Sequence, residues 1–378
     1  MTAKERIYLD HNATAPLIPE ARAAMLAALE VVGNPSSVHH EGRAARALIE
    51  QAREEVAALV GARPGEVIFT SGATEANCWA ASGRLWSAAA VGSIEHVSVL
   101  APVKRLKAPH REIPCAADGV LRVGEAVAFA REHAQASMPV FVSVGLANGE
   151  TGTLQPVQEL MTELAEIPAV LHVDAAQAAG RIPVDFHALG ASLMSLSAHK
   201  MGGPKGVGAL IVRDGVVLDP LLTGGGQERR RRAGTENVAA IAGFGAAARV
   251  ARTTLRSWQQ VGALRDEMER ELRRITPDVA VIGQSAARLP NTTLLAHPGT
   301  SAETTVIKLD LAGVAVSAGA ACSSGKVGRS HVLAAMGLPD ELARSAVRIS
   351  LGLSTTADDV QRFLAIWSAM GRRTTLAA

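Results

Sequence analysis

Ser197-Ala198-His199-Lys200 lies a short step downstream of His172-Val173-Asp174-Ala175-Ala176-Gln177. The lysine follows the apolar run Leu193 to Leu196 and precedes Gly202-Gly203-Pro204-Lys205-Gly206, which places its amine at the end of a buried strand, held by a tight turn. Asp174 ends the preceding apolar strand, Ala169 to Val173. A lysine and an aspartate on neighbouring strand ends suit pyridoxal phosphate. The amine bonds to the cofactor aldehyde, and the carboxylate keeps the pyridine nitrogen protonated so that the ring draws electrons. Taken alone, Lys200 reads equally well as an ordinary surface lysine after a strand. Two further stretches decide against that.

The first is Thr70-Ser71-Gly72-Ala73-Thr74-Glu75, between the strand Val67 to Phe69 and a helix carrying Ala76, Trp79 and Ala80. Small residues here let backbone N–H groups and hydroxyls approach a phosphate at the positive end of a helix. Plain N-capping by Ser71 or Thr74 is the competing reading of this stretch. The second is Ser317-Ala318-Gly319-Ala320-Ala321-Cys322-Ser323-Ser324-Gly325, nine residues without a large side chain. Such a stretch buries little apolar surface and reads as a mobile surface loop that presents one thiol. Cys78, beside Trp79 on a helix, reads instead as a buried structural cysteine, and Cys115, between Pro114 and Ala116, as incidental.

The elements that must position these groups alternate along the chain. Ala44 to Val60 has helical spacing (Ala45, Leu48, Ala52, Val56, Leu59) and stops at Gly61. Val67 to Thr70, Val140 to Ala147, Ala169 to Val173 and Val207 to Val212 read as buried strands, and Pro156 opens a helix with Val157, Leu160, Met161 and Leu164 on one face. This alternation predicts an α/β fold with a mostly parallel sheet covered on both faces. After about Arg252 the pattern changes. A long charged helix, Leu255 to Ile275, leads to short strands at 279–282, 291–295 and 347–351. A last helix from about Ala357 follows, with Thr356 and Asp359 as a capping box. We read a large domain over 14–254 and a smaller α/β domain made of 1–13 and 255–378, which carries the cysteine loop at about 317–330.

Composition narrows the function classes. The chain has 378 residues, 48% of them hydrophobic, enough for a sizeable core. Lys and Arg number 38 against 36 acids, so nothing global argues for nucleic acid. The run Glu228-Arg229-Arg230-Arg231-Arg232 has no interleaved aromatics and reads as an interface or phosphate-side loop, or as a solvated turn. Three dispersed cysteines form no CxxC pair, which excludes a disulfide framework or a structural zinc site as expectations. No apolar run reaches the ~20 residues a membrane span needs, and Met1 to Arg6 runs directly into Ile7-Tyr8-Leu9 without an apolar signal core. A cytoplasmic location is expected.

Together these stretches resemble the cysteine desulfurases of the nitrogen-fixation and iron–sulfur assembly class, over nearly the whole length. The resemblance is carried by Tyr8-Leu9-Asp10-His11-Asn12-Ala13-Thr14, Gly33-Asn34-Pro35-Ser36-Ser37, Ser71 to Glu75, Glu95-His96, His172 to Gln177, Ser197 to Lys200, Ala233-Gly234-Thr235, the Cys322 loop and Arg348-Ile349-Ser350-Leu351-Gly352. It implies a fold-type-I pyridoxal phosphate-dependent transferase with a seven-stranded sheet, and a homodimer with the cofactor near the interface. Lys200 would hold the cofactor covalently, Asp174 would partner the pyridine nitrogen and Gln177 would touch the phenolic oxygen. His96 would stack on the ring and help with proton transfers. Thr74 and the backbone at Ala73, with Ser197 and His199, would hold the phosphate, and Thr235 would reach it from the other subunit. Asn34 and Arg348 would bind the substrate carboxylate, and Cys322 would be the nucleophile. The implied reaction converts L-cysteine to L-alanine and leaves a persulfide on Cys322 for an acceptor protein: an iron–sulfur scaffold, a tRNA-thiolation protein or a molybdenum-cofactor protein. A selenocysteine lyase, another pyridoxal phosphate lyase or aminotransferase, and a non-catalytic sulfur-relay scaffold are the alternatives.

Three positions depart from the pattern. Gly149 stands where the family usually has a second asparagine, Gly328-Arg329 where a Glu-Pro pair is common, and Leu353 where an arginine often follows Ser-Leu-Gly. They suggest a divergent paralogue, but none removes a group the chemistry requires.

Overall fold

Strands made of Val, Ile, Leu and Ala without polar alternation need cover on both faces. The computed structural model, which describes residues 6–319 and 330–375, supplies it. After a short β1 (Ile7–Tyr8) come β2 (Val67–Thr70), β3 (Ala89–Gly92), β4 (His110–Ile113), β5 (Val140–Gly145), β6 (Ala169–Asp174), β7 (Leu193–Ser197) and β8 (Gly208–Val212). The last seven form one sheet in the order β2-β8-β7-β6-β5-β3-β4. Only β8 runs against its neighbours, β7 and β2. The expected α/β class and seven-stranded, mostly parallel sheet are both present. β3 and β4 escape the sequence pattern because one, Ala89-Ala90-Val91-Gly92, is short with a single branched apolar side chain and the other is an exposed edge of His110, Arg111 and Glu112.

Helices α1 (Pro19–Leu29), α2 (His40–Leu59), α3 (Ala73–Ser82), α4 (Val97–Val103), α5 (Val123–His133), α6 (Val157–Leu164) and α7 (Val238–Thr253) cover this sheet. One core joins α2, α5, α6 and α7 to Phe69, Val142, Val173 and Ile211. On the opposite face, Ile68, Val91, Phe141 and Leu210 pack with Trp79 of α3 and Val99 of α4. The successive side chains Ile68 and Phe69 thus enter different cores, as the two-residue period of a strand requires.

The remaining elements are α8 (Trp258–Ile275), β9 (Ala280–Ile282), β10 (Thr292–Ala296), α9 (Ala302–Leu311), β11 (Val314–Ala315), β12 (Ser317–Ala318), α10 (His331–Ala335), α11 (Asp340–Arg344), β13 (Val347–Ser350) and α12 (Ala357–Thr375). They form an antiparallel sheet, β12-β13-β10-β9, while β1 pairs in parallel with β11. A separate core gathers Ile7 and Leu9 with Trp258, Met268 and Leu272 of α8 and Phe363 and Trp367 of α12. The capping box that opens α12 is made in both directions. Asp359 N–H donates to Thr356 Oγ1 at 3.1 Å, and Thr356 N–H donates to Asp359 Oδ2 at 3.0 Å. Among the described residues, no helix is long and apolar enough to cross a membrane.

One edge of the large sheet is closed by side chains. Strand β2 has no neighbour beyond it, which leaves Val67 C=O and Phe69 N–H pointing outward. Arg53 donates to Val67 O at 2.8 Å, and Glu228 Oε2 accepts from Phe69 N at 3.0 Å. The two side chains also form a buried bidentate pair at 2.9 Å on both arms. An ion pair thus stands where another strand would, and satisfies the edge it covers. Holding Glu228 there takes three successive non-glycine residues with positive φ: Glu228 (44°), Arg229 (56°) and Arg230 (64°). The arginine run is accounted for in part by this loop, since Arg229 donates to Gly65 O and Arg232 pairs with Glu75.

Each left-handed non-glycine residue costs roughly 1–2 kcal/mol, against which glycine's extra chain entropy costs roughly 0.5–1 kcal/mol. Arg230 is exposed, so Arg230→Gly should raise stability by about 0.5–1 kcal/mol in urea unfolding. An unchanged or lower midpoint would show that the left-handed turn carries no strain at this position.

Candidate active site

Strands β2, β3, β5, β6 and β7 all end on one side of the sheet, and the residues that follow them line a cavity of about 670 Å³. Ligands bind outside the carboxyl ends of strands in open α/β sheets. The cavity wall includes Ala73, Thr74, His96, Asp174, Gln177, Ser197, His199, Lys200 and Arg348, groups that are far apart in the chain. Cys322 lies outside the described residues. Asn34 and Thr235 are exposed and are not part of the wall. Within this single chain Asn34 closes its own turn instead, its Oδ1 accepting from Ser36 N at 2.9 Å and its carbonyl from Ser37 N.

Thr74 sits in the first turn of α3, whose N-cap is Gly72 at φ 158° and ψ 177°, a conformation essentially reserved for glycine. No side chain caps this helix. Its first amides are therefore available to an anion, beside the hydroxyls of Thr74 and Ser197 and the ring of His199. Glu75 is turned away from that position. It accepts from Ser71 N and pairs with Arg232 at 2.8 Å, tying the arginine loop to the start of α3.

Lys200 closes the short turn after β7. Its ammonium donates to the carbonyls of Asn12 at 2.5 Å and Ala13 at 3.0 Å. Gln177 donates to the same Asn12 carbonyl at 3.1 Å. Behind both lies Arg181, which donates to Asn12 Oδ1, to Gln177 Oε1 and O, and to the carbonyls of His11 and Lys200. None of these acceptors is a carboxylate, and burial pulls the Arg181 pKa down to about 9. Arg348 donates to Asp10 Oδ1 at 2.8 Å and to Gly149 O at 3.1 Å, and among the described residues its buried Nε has no partner.

Asp174 leaves β6 with Oδ1 accepting from Ala176 N at 2.9 Å and Oδ2 accepting from Asn77 Nδ2 at 2.7 Å. His172, two residues earlier on the same strand, is held between the hydroxyls of Ser143 and Ser195 and stacks on Phe141. Burial lowers the pKa of His172 and of His199 to about 4, and lowers that of His96, so all three rings are neutral at pH 7. Burial acts oppositely on the acids, raising Glu95 to about 8 and Glu150 to about 7.

Several of these groups were not legible as site residues. Asn77, Ser98 and His331 line the cavity, and so does Lys205, which the sequence places only in the turn beyond Lys200. The spacing of Asn77, one helical turn after Thr74, was a signal that could have found it.

The sequence profile of the family described as aminotransferase class-V matches residues 7–363. The cysteine desulfurase IscS of Dictyoglomus turgidum is 41% identical over 368 residues, covering 94% of this chain and 92% of that protein. A cysteine desulfurase of Cereibacter sphaeroides is 41% identical over 374 residues, covering 96% of this chain and 95% of that protein. Among solved structures, the NifS-like protein from Rickettsia africae superposes with a TM-score of 0.90 at 32% identity, covering 97% of this chain and all of that one.

The residues present fit pyridoxal phosphate, the cofactor of this family. The uncapped start of α3 suits the phosphate, and a carboxylate and an amine stand at neighbouring strand ends. The unpartnered Nε of Arg348 suits a substrate carboxylate. The departure at Gly149 falls within the same arrangement. A Cβ at 149 would lie 3.2 Å from Gln177 Nε2, so an asparagine there would crowd the glutamine.

Lys200→Ala should abolish covalent attachment of the cofactor, read as loss of borohydride-fixed cofactor in a peptide map. Fixation at Lys205 instead would overturn the assignment.

Gln177→Ala should shift the pH titration of the bound cofactor's absorbance, since a lost hydrogen bond is worth roughly 0.5–1.5 kcal/mol. Adding Gly149→Asn to Gln177→Ala should partly restore it, because the glutamine that would crowd the new side chain is gone. A titration unchanged by Gln177→Ala would show that Gln177 does not contact the phenolic oxygen.

Proposed function

The chain belongs to the class-V aminotransferase family and, within it, to the cysteine desulfurases, and from this premise we propose how its own residues perform that reaction. The protein is a pyridoxal phosphate-dependent cysteine desulfurase that converts L-cysteine to L-alanine and passes the sulfur to an acceptor protein. When bound, the cofactor supplies an aldehyde for an amino group and a ring that absorbs negative charge from the substrate's α-carbon.

The observation that carries the residue assignment is the convergence of Lys200, Asp174, His96 and the open start of α3 on one cavity. Asp174, fixed by Asn77 and by the Ala176 amide, presents a carboxylate for the pyridine nitrogen. Thr74, the Ala73 amide, Ser197 and His199 hold the phosphate. The neutral ring of His199 serves there as a donor without adding a charge. The guanidinium of Arg348 takes the substrate carboxylate through its inward edge, while Asp10 and the Gly149 carbonyl hold its terminal nitrogens. Lys200, released from the Asn12 and Ala13 carbonyls, takes the α-proton onto its amine. The Cys322 thiolate then attacks the substrate sulfur. An S–S bond forms, the Cβ–S bond breaks and its electron pair remains on carbon; Cβ takes a proton there, and the proton held on Lys200 returns to the α-carbon, which completes alanine.

We assign a homodimer on the same basis. Leu26, Leu29, Val32 and Val38 leave an apolar surface along and after α1, and Asn34 and Thr235 are exposed as groups for a partner's cavity would be. We also assign residues 1–13 and 255–378 to one lobe, supported by the β1–β11 pairing and the shared core of Ile7, Leu9, Trp258 and Phe363. A cytoplasmic location and an iron–sulfur scaffold, tRNA-thiolation or molybdenum-cofactor acceptor belong to the same proposal.

Alanine and sulfide release from L-cysteine test the activity directly. Cys322→Ala should retain cofactor and bind L-cysteine but yield no persulfide or sulfide. Persulfide recovered on Cys78 or Cys115, with alanine formation undiminished in Cys322→Ala, would remove Cys322 from its role.

A further inference from the structure

Three side-chain hydrogen bonds connect the Asp174 carboxylate to His96. Asn77 donates from Nδ2 to Asp174 Oδ2 at 2.7 Å and to Ser98 Oγ at 2.9 Å. Ser98 Oγ lies 2.6 Å from His96 Nδ1, and the backbone N–H of Ser98 donates to that same nitrogen at 3.1 Å. Asn77 and Ser98 are both buried.

Each link fixes the next. An ionised carboxylate only accepts, so Asp174 obliges the Asn77 amide to turn its NH2 toward it. Turned over, the amide would set Oδ1 against Oδ2. This orientation has a visible cost, because the buried Asn77 Oδ1 has no partner among the described residues. With an Asn77 hydrogen directed at Ser98 Oγ, the hydroxyl hydrogen is directed at His96 Nδ1. The Ser98 amide reaches the same nitrogen at the longer distance of 3.1 Å, so Nδ1 is held as an acceptor chiefly through the hydroxyl at 2.6 Å. In the neutral ring the proton must then sit on Nε2.

We infer that Asn77 and Ser98 are positioning residues that lock His96 as the Nε2–H tautomer, so that the neutral ring offers a hydrogen-bond donor at Nε2 rather than a base, and abstraction of the α-proton falls to Lys200. The inference takes its catalytic meaning from the desulfurase reading, but the lock is a property of the chain itself. Protonating His96 would require a hydrogen on Nδ1, directly facing the Ser98 amide. Burial opposes the charged ring as well, as do the nearby cations of Lys200 and His331 when protonated, while Asp174 favours it. The arrangement therefore holds His96 neutral with a fixed direction of donation.

If the α4 amide alone held Nδ1, loss of the Ser98 hydroxyl would leave the tautomer unchanged. The test is nitrogen-15 NMR of the full chain with labelled histidine, with and without pyridoxal phosphate, the His96 signals being assigned by their loss in His96→Gln. In the unsubstituted protein Nδ1 should resonate as an unprotonated nitrogen and Nε2 as a protonated one. Ser98→Ala should mix the tautomers and raise the His96 pKa by roughly half a unit to one unit, and Ser98→Thr should restore both. A protonated Nδ1 in the unsubstituted protein overturns the inference, even if Ser98→Ala fails to fold. A folded Ser98→Ala with unchanged tautomer and pKa overturns it equally. Failure of the unsubstituted protein to release alanine from L-cysteine would instead strike the functional assignment and leave the tautomer measurement standing.

Discussion

Asn12 is the junction on which the cavity depends. Its side chain is fully buried and uses its full hydrogen-bonding capacity. Nδ2 donates to Gly149 O and Thr292 Oγ1, while Oδ1 accepts from Arg181 and Asn291. Its backbone carbonyl is the acceptor for both Lys200 and Gln177. One residue of the N-terminal segment therefore joins the loop after β5, the turn after β7 and strand β10 of the second core. The amine at Lys200 is aimed by a carbonyl whose own position is set by four further bonds. A group placed in this way is held by the packing of both cores.

The electrostatics follow from that burial. Desolvation lowers the pKa of His96 and His199 and raises that of Glu95 and Glu150, so the wall of the cavity carries fewer charges than its residue types suggest. Arg181 is the exception. It is buried among carbonyl and amide oxygens without a carboxylate beside it. Five oriented dipoles take the place of a counter-ion, so the cation can clasp the Lys200 turn without placing an anion beside the amine. An aspartate there would compete with Asn12 for Lys200, and the present arrangement avoids that competition.

The parts of this site that were legible in the sequence are those that end local patterns. Asp174 and Lys200 each close an apolar run, and Thr74 follows a strand-to-helix turn, so period and punctuation alone place them. Asn77 and Arg181 act through partners distant in the chain, so helical spacing can put Asn77 near Thr74 but cannot announce what it bonds. Asn77 meets Asp174 across 97 residues, and Asn12 meets Asn291 across 279. The same distinction holds for the fold. Continuous apolar strands such as β5 and β7 were readable, whereas β4 and the two-residue strands β11 and β12 exist only through pairing. The closure of β2 by Arg53 and Glu228 is likewise a long-range device in an otherwise charged stretch.

Gly149 shows how these constraints bear on divergence. Its carbonyl already accepts from Asn12 and Arg348, so the backbone at this point is held whatever side chain it carries. What the missing side chain changes is the space beside Gln177, whose Oε1 is committed to Arg181 and whose Nε2 faces the place a Cβ would occupy. A larger residue would have to displace that amide or share its role. Loss of an asparagine here is therefore tolerable, because Arg181 keeps Gln177 oriented with its donor forward. The clasp behind the site thus compensates for the simplification in front of it, and the two positions form one functional unit although neither touches the other.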